Sequence, residues 1–284
     1  MTSSEGNTWS KGLLHPLSYY KCYDEGVLSF YDVWVIGVSF TWAWNIPAST
    51  ITLPFHRAHL SKNHLDIGVG TGYFPATVLS ERAAAAGHID AQGDRLDQKV
   101  TLWDLSTKAL AEAKSRIELA EPHATVEVIE ADATSLPADF DTSRKFDSIS
   151  AAMLLHCIPM PTEQKAKGVI STARRLLSPR GVFYGCTVLG SAARKTTAPS
   201  PTIDWLPGSE VPFGVVGEKK SANKRHNPFG WALMCIYNRT GVFSNWKDEP
   251  DVIVKELEDG FDQVDSWIIG RVLFFKASAP RLVV

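Results

Sequence analysis

No apolar run in this sequence approaches the ~20 residues needed to cross a bilayer. The opening "MTSSEGNTWSKGLLHP" lacks a basic stretch followed by an apolar one, so a secretory leader is not expected. Charge of one sign is also lacking: the formal net charge is −2 over 284 residues, which gives no case for nucleic acid or an anionic membrane. The basic run "EKKSANKRH" (218–226) is too short and too mixed to change that, and reads as a solvated loop. Cysteine is scarce, and Cys22, Cys157, Cys186 and Cys235 form no CxxC, which argues against a zinc site or a disulfide framework. His56, His59 and His64 in "HRAHLSKNH" come without HExxH or an acidic ligand set, so no metal is assigned. The absence of GxxxxGK[ST] excludes a P-loop. Together these absences predict a soluble, cytoplasmic protein with reduced thiols, in which the sequon at Asn238-Arg-Thr carries no meaning.

What is present is a 44% hydrophobic chain, long enough for one elaborated α/β domain or two small ones. Residues 1–60 are aromatic-rich and read as helices, apolar nearly all round, broken by Pro47 in "NIPAST". "NHLDIGV", "KVTLWDL", "TVEVIEAD", "KFDSISAAMLL" and "VFYGCTVL" read as five strands. "YFPATVLSERAAAA", "STKALAEAKSRIELA" and "TEQKAKGVISTARRLLSPRG" read as helices between them, the last closed by Pro179 and Gly181. Strands alternating with helices predict an α/β, Rossmann-like, doubly wound and mostly parallel sheet. "PFGWALMCIYNRTG" and "DVIVKELEDG" read as two more helices, and "FDQVDSWIIGRVLFFKAS" as an antiparallel edge hairpin pivoting at Gly270. The expected organisation is an N-terminal helical cap over 1–60 and a catalytic domain over 61–284. Its longest aperiodic stretch, about 191–227, is either an inserted lid or disordered.

The motif Asp66-x-Gly68-x-Gly70-x-Gly72 follows the first strand and opens a helix. Its G-x-G-x-G spacing differs from the dinucleotide G-x-G-x-x-G and suits a ligand carrying a cationic amino-acid moiety. Asp104 ends the second strand, where a carboxylate accepts from ribose hydroxyls. Its larger separation from the glycines is explained by a loop insertion at 83–98. In "EADATSLP", Asp132 stands where an adenine amino group would lie; the alternatives are a helix cap for Asp132 and simple packing for Gly72.

These features resemble class I S-adenosylmethionine-dependent methyltransferases. "HLDIGVGTGYF", "FDSISAAMLLHCIP", "LLSPRGVFYGCTVLG" and "RHNPFGWALMCIYNRTGVFSN" are similar to the YbcY-type small-molecule methyltransferases, which include O-methyltransferases of fungal polyketide pathways. The resemblance spans about residues 28–278, apart from 83–98 and 191–222, where this chain is longer. It implies S-adenosylmethionine as cofactor and S-adenosylhomocysteine as product. Asp66, Gly68, Gly70 and Gly72 would cradle the methionine part, Asp104 and Leu105 the ribose side, and Asp132 and Ala133 the adenine. Tyr31 and Met153 would complete the cofactor site. Asn45 and Ile46 stand before Pro47 where the group has a cysteine, so no role for that cysteine carries over.

An activated methyl needs orientation and a dry pocket, worth ~7–11 kcal/mol, and a positioned base adds ~10²–10⁴-fold when the acceptor proton must leave. His156, after the fourth strand, is the candidate base or acceptor contact, with a structural histidine as the alternative. Cys157 reads as packing. Trp44, His226 and Asn227 are the acceptor-side candidates, although the last two could equally cap the late helix. The aromatic cap favours a hydrophobic polyketide-like or aromatic acceptor, a hydroxyl first and an amine second. Two further readings stay open: a methyltransferase fold shaping a cyclisation pocket, and a non-catalytic binding partner. Whether the chain is a homodimer is left open.

Overall fold

The computed structural model describes residues 32–86, 97–190, 203, 205 and 226–281. Helix α1 (Asp32–Ala43) has π-type winding, with Trp44 N donating to Ser39 O at 2.9 Å. It stops at Asn45, which takes a left-handed φ of 56°, a conformation asparagine tolerates better than most residues. Pro47 then starts a π turn (Ala48–Thr52) that runs into α2 (Leu53–His59). The break expected at Pro47 is therefore present, and the chain resumes as helix immediately after it.

Seven strands form one sheet: β1 (Asn63–Ile67), β2 (Lys99–Asp104), β3 (Thr125–Glu130), β4 (Phe146–Ala152), β5 (Leu177–Val188), β6 (Phe261–Ile269) and β7 (Val272–Pro280). Their order is β3-β2-β1-β4-β5-β7-β6. β1 to β5 run parallel, whereas β7 is antiparallel to both β5 and β6. The strand order reverses between β1 and β4, and open α/β sheets bind ligands beyond the strand ends at such a point. The helices are α3 (Tyr73–Ala86), α4 (Thr107–Ala120), α5 (Thr162–Leu176), α6 (Pro228–Thr240) and α7 (Pro250–Gly260).

Local chemistry explains the boundaries. Ser106 caps α4, its Oγ accepting from Ala109 N at 3.2 Å, and Asn227 caps α6 by accepting from Gly230 N at 2.7 Å. α6 ends at Gly241 in a left-handed C-cap. α4 and α5 bury Ala109, Leu110, Ala113 and Ile117, and Val169, Ile170, Ala173 and Leu176, at spacings of three and four. One boundary departs from expectation. Helix α5 ends at Leu176, not at Pro179–Gly181, because buried Leu177 already pairs with Phe146 in the sheet. Residues 178–181 are then thrown out as an irregularity before Val182 pairs with Ser148.

Three apolar clusters hold the layers. Trp103, Phe146, Phe183, Val169, Leu257 and Phe275 fill the face under α5 and α7. Val100, Leu102, Val78, Leu110 and Ile117 fill the face under α3 and α4. The third cluster is largely aromatic, with Phe40, Trp44, Phe55, Tyr184, Trp267 and Phe274 joining α1 and α2 to β5–β7. The hairpin turn at Gly270 is pressed against this N-terminal segment: a Cβ there would lie 2.1 Å from Trp44 O. Gly270 also has φ +58°, so the turn and the close approach both require glycine. No helix among the described residues is long and apolar enough to cross a membrane.

Candidate active site

Two connected chambers open where β1, β2 and β4 end. The smaller, about 200 Å³, is lined by Asp104, Leu105, Asp132, Ala133, Ile158 and Met160 among others. The larger, about 320 Å³, is lined by Trp34, Phe40, Trp44, Phe74, Tyr237 and Phe243, together with Gly70, Met153 and His156 among others. Gly68, Leu154 and Cys157 line both.

The smaller chamber carries one decisive polar group. Asp104 is 4% exposed; its Oδ1 accepts from Ser106 N at 2.8 Å, and its Oδ2 has no hydrogen-bond partner among the described residues. Burial pushes this carboxyl up to about 6, against the backbone amides of Ser106, Gly70 and Leu105, which favour the charged form. A buried acceptor without a partner is costly unless a ligand supplies donors, and a ribose diol has two. The residues therefore fit an adenosyl group. Asp132 accepts from both the backbone N and Oγ1 of Thr134 at 2.7 Å, so it shapes a turn at the chamber wall as well as lining it. Leu105 is 46% exposed and offers an apolar face beside it.

The glycine loop divides its labour. Gly68, Gly70 and Gly72 all have left-handed φ values of +57° to +74°. Gly68 and Gly70 line the larger chamber, but Gly72 does not: a Cβ on it would stand 2.8 Å from Ala113 of α4, so packing is what excludes a side chain there. Asp66 also lines neither chamber. It lies buried behind the loop and accepts from Ser150 Oγ, whose neighbours are His64 Nε2 at 3.1 Å and, through His64 Nδ1 at 2.8 Å, Ser148. Burial, with Asp104 as a like charge, raises Asp66 to about 6, while the Ser150 hydrogen bond opposes the rise. Asp66 and Gly72, expected in the cradle, thus sit away from both chambers, the one bonded to Ser150 and the other packed on Ala113.

His156 lines the larger chamber and is buried, its ring edge-on to Phe243 at 4.3 Å. Val188 N donates to His156 Nδ1 at 3.3 Å, and Thr187 Oγ1 lies 3.1 Å from the same nitrogen. An amide only donates, so Nδ1 holds a lone pair and the ring proton sits on Nε2. Burial first, and the Lys165 charge second, push the imidazole down to about 3. A general base needs a free lone pair and a pKa near the working pH; His156 has neither, so the role expected of it does not fit.

The remaining acceptor-side expectations divide. Trp44 lines the larger chamber. His226 and Asn227 line neither: His226 packs edge-on against Trp44 at 5.8 Å with Nε2 3.2 Å from Leu189 O, and Asn227 caps α6 while its Nδ2 donates to Trp42 O at 2.7 Å. Capping and packing hold them away from the opening. Met153 lines the larger chamber with a left-handed φ of 56°, a strain that recurs at ligand sites. Tyr31 lies outside the described residues, as does most of 191–227.

Sequence reasoning missed several wall residues. Tyr73 and Phe74 directly follow Gly72, so the first helical turn after the glycines was a readable signal. Tyr237 and Phe243 had no local signal. They reach the chamber because α6 packs along α1, where Trp34 Nε1 donates to Tyr237 Oη at 3.0 Å. Thr71 is also a wall residue, and its Oγ1 donates to Asp32 at 2.8 Å, which in turn pairs with Arg116 at 2.5 Å. This ties the start of α1 to the glycine loop. Behind His156, Lys165 and Asp248 form a buried ion pair at 2.7 Å, and Lys165 also donates to Ser244 O at 2.9 Å. It braces the turn after β4 against the loop after α6.

Known proteins agree with this geometry. A family model for the methyltransferase domain matches residues 65–183. Methyltransferase verB of Penicillium polonicum is 31% identical over 94% of this chain and 100% of its own length. A physcion biosynthesis cluster O-methyltransferase of Aspergillus chevalieri is 31% identical over 92% of this chain and 94% of its own length. In fold, the DhpI–SAH complex superposes with a TM-score of 0.52 at 14% identity, over 94% of this chain and 98% of that one. The chain belongs to the class I S-adenosylmethionine-dependent methyltransferases, and S-adenosylmethionine is its cofactor.

Proposed function

We propose that this enzyme acts in secondary metabolism, methylating a hydroxyl of a hydrophobic aromatic or polyketide-like small molecule. The observation that carries this reading is the larger chamber: about 320 Å³, walled mainly by aromatic rings, and sharing Gly68, Leu154 and Cys157 with the chamber that suits an adenosyl group. Relatives named as O-methyltransferases, one of them in a physcion biosynthesis cluster, support oxygen as the acceptor atom.

The cofactor, when bound, supplies a methyl group already activated on a sulfonium. The chain's own residues bind and orient. Asp104 Oδ2 would accept from the ribose, Asp132 and Ala133 would flank the adenine, and Gly68 and Gly70 would admit the methionine part without a side chain in the way. Trp34, Phe40, Trp44 and Phe243 would hold a flat acceptor and keep water out, which is where orientation gains of ~7–11 kcal/mol arise. On this reading residues 1–60 act as a cap over the acceptor and 61–284 as the catalytic domain, a division supported by the three α1-region rings in the wall.

The test is incubation of the full chain with S-adenosylmethionine and paired hydroxy and amino forms of one aromatic skeleton, with S-adenosylhomocysteine release measured for each. Faster turnover of the hydroxy form is expected. Preference for the amine would replace the hydroxyl reading, and cofactor binding without release from any acceptor would remove transfer altogether.

A further inference from the structure

His156 is fixed in one tautomer by the sheet. Its Nδ1 faces β5, where the Val188 amide and the Thr187 hydroxyl occupy it. Nε2 carries the proton and makes no hydrogen bond among the described residues, while the ring lines the larger chamber. The surroundings oppose a second proton. The ring is buried with Phe243 packed edge-on against it, and Lys165, paired to Asp248, adds a positive charge that acts on it. Cys157 beside it donates its thiol to Met153 O at 3.9 Å.

We infer that His156 is a permanently neutral hydrogen-bond donor, presenting Nε2–H to the reacting oxygen, and that the acceptor class is an intrinsically acidic phenol or enol bound as its anion. This rests on the hydroxyl-methylating reading above. A neutral donor stabilises an oxyanion without taking a proton from it. The acceptor proton leaves to water before binding. The acceptor oxygen's electron pair then forms the O–CH3 bond as the carbon–sulfur bond breaks, that bond's pair remaining on sulfur. The proton on Nε2 stays in place throughout, so His156 is oxyanion support and not a relay.

The experiment uses the full chain saturated with S-adenosylhomocysteine and p-nitrophenol as the probe, whose phenolate absorbs visibly. A charge-assisted hydrogen bond should make bound p-nitrophenol about a ten- to hundredfold stronger acid than in solution. His156→Gln, which keeps an N–H donor but no basic nitrogen, should retain most of that shift, and His156→Leu should abolish it. Nitrogen-15 NMR of the wild type should show Nε2 protonated, with no titration of His156 between pH 5 and 8. Bound p-nitrophenol with an unshifted acidity, loss of the shift in His156→Gln, or a proton on Nδ1 overturns the inference. Failure of p-nitrophenol to bind while S-adenosylhomocysteine binds instead overturns the acceptor reading itself, so the two failures are distinct.

Discussion

The two chambers are made in different ways. The smaller is mostly local: strand tips, the glycine loop, one buried carboxylate and the turn after β4, with Gly241 at the end of α6 as its distant contributor among the described residues. The larger is assembled at long range, from α1, the start of α3, the turn after β4 and the far end of α6. A few hydrogen bonds from backbone and carboxylate decide the first, whereas shape and aromatic burial decide the second. Substitutions should therefore separate cofactor affinity from acceptor selectivity, and each of the following tests that separation.

The largest effect is expected at Asp104. Losing two hydrogen bonds to a charged group, about 1.5–3 kcal/mol each, should weaken S-adenosylhomocysteine at least about 100-fold in Asp104→Ala, measured by calorimetry. Lys165→Ala should break the separation, because it strands Asp248 in the joint behind both chambers. A loss of about 3–5 kcal/mol in urea unfolding is expected, largely recovered when Asp248 is also made apolar. Gly72→Ala should cost about 2–5 kcal/mol of stability, from contact with Ala113 and from its left-handed φ. If it instead weakens cofactor binding at unchanged stability, Gly72 belongs to the cradle after all.

A pH series sharpens the electrostatic side. Ligand donors favour the charged form of Asp104, so cofactor affinity should be full above about pH 6 and fall about tenfold for the next unit below it. Asp104→Asn should remove that slope. In the ligand-free protein the signs differ by group. Asp66 and Asp104 are raised, so their contribution to stability is complete below the ordinary carboxylate range and lost as pH rises through about 6. His56, His64 and His156 are lowered to about 3, so their contribution is complete above the ordinary histidine value of 6.5 and lost as pH falls toward 3. Burial lowers His226 as well, to about 4, so four histidines stand against two carboxylates raised to about 6, and the urea midpoint should fall between pH 6.5 and 4. The smallest effect is expected for Tyr237→Phe, which removes only the bond to Trp34 Nε1, about 0.5–1.5 kcal/mol. It should alter acceptor preference and leave cofactor affinity unchanged.

The sheet, its helices and the edge hairpin were legible because apolar periodicity and capping residues are local. That Asp104, Asp132, Ala133, Gly68 and Gly70 gather at the chambers was legible, because a strand tip followed by glycines has few uses. Asp66 and Gly72 belonged to the same motif, yet the motif does not say which members face a ligand and which face Ser150 or Ala113. His156 was found as a position but not as a protonation state, since that depends on an amide 32 residues away in β5. For His226 and Asn227 the sequence left wall and cap equally open, because both roles share one signal; in the structure Asn227 caps α6 and His226 packs on Trp44. Tyr237 and Phe243 required knowing that α6 returns to α1, a packing fact with no local trace.

Gly68, Leu154 and Cys157 stand as a party wall between the two chambers. A mutation there is felt on both sides, so this part of the molecule is held fixed by the shared reagent. The rings contributed by remote segments carry no such obligation. Gene duplicates of this chain can exchange them and acquire new clients while inheriting the methyl donor unchanged.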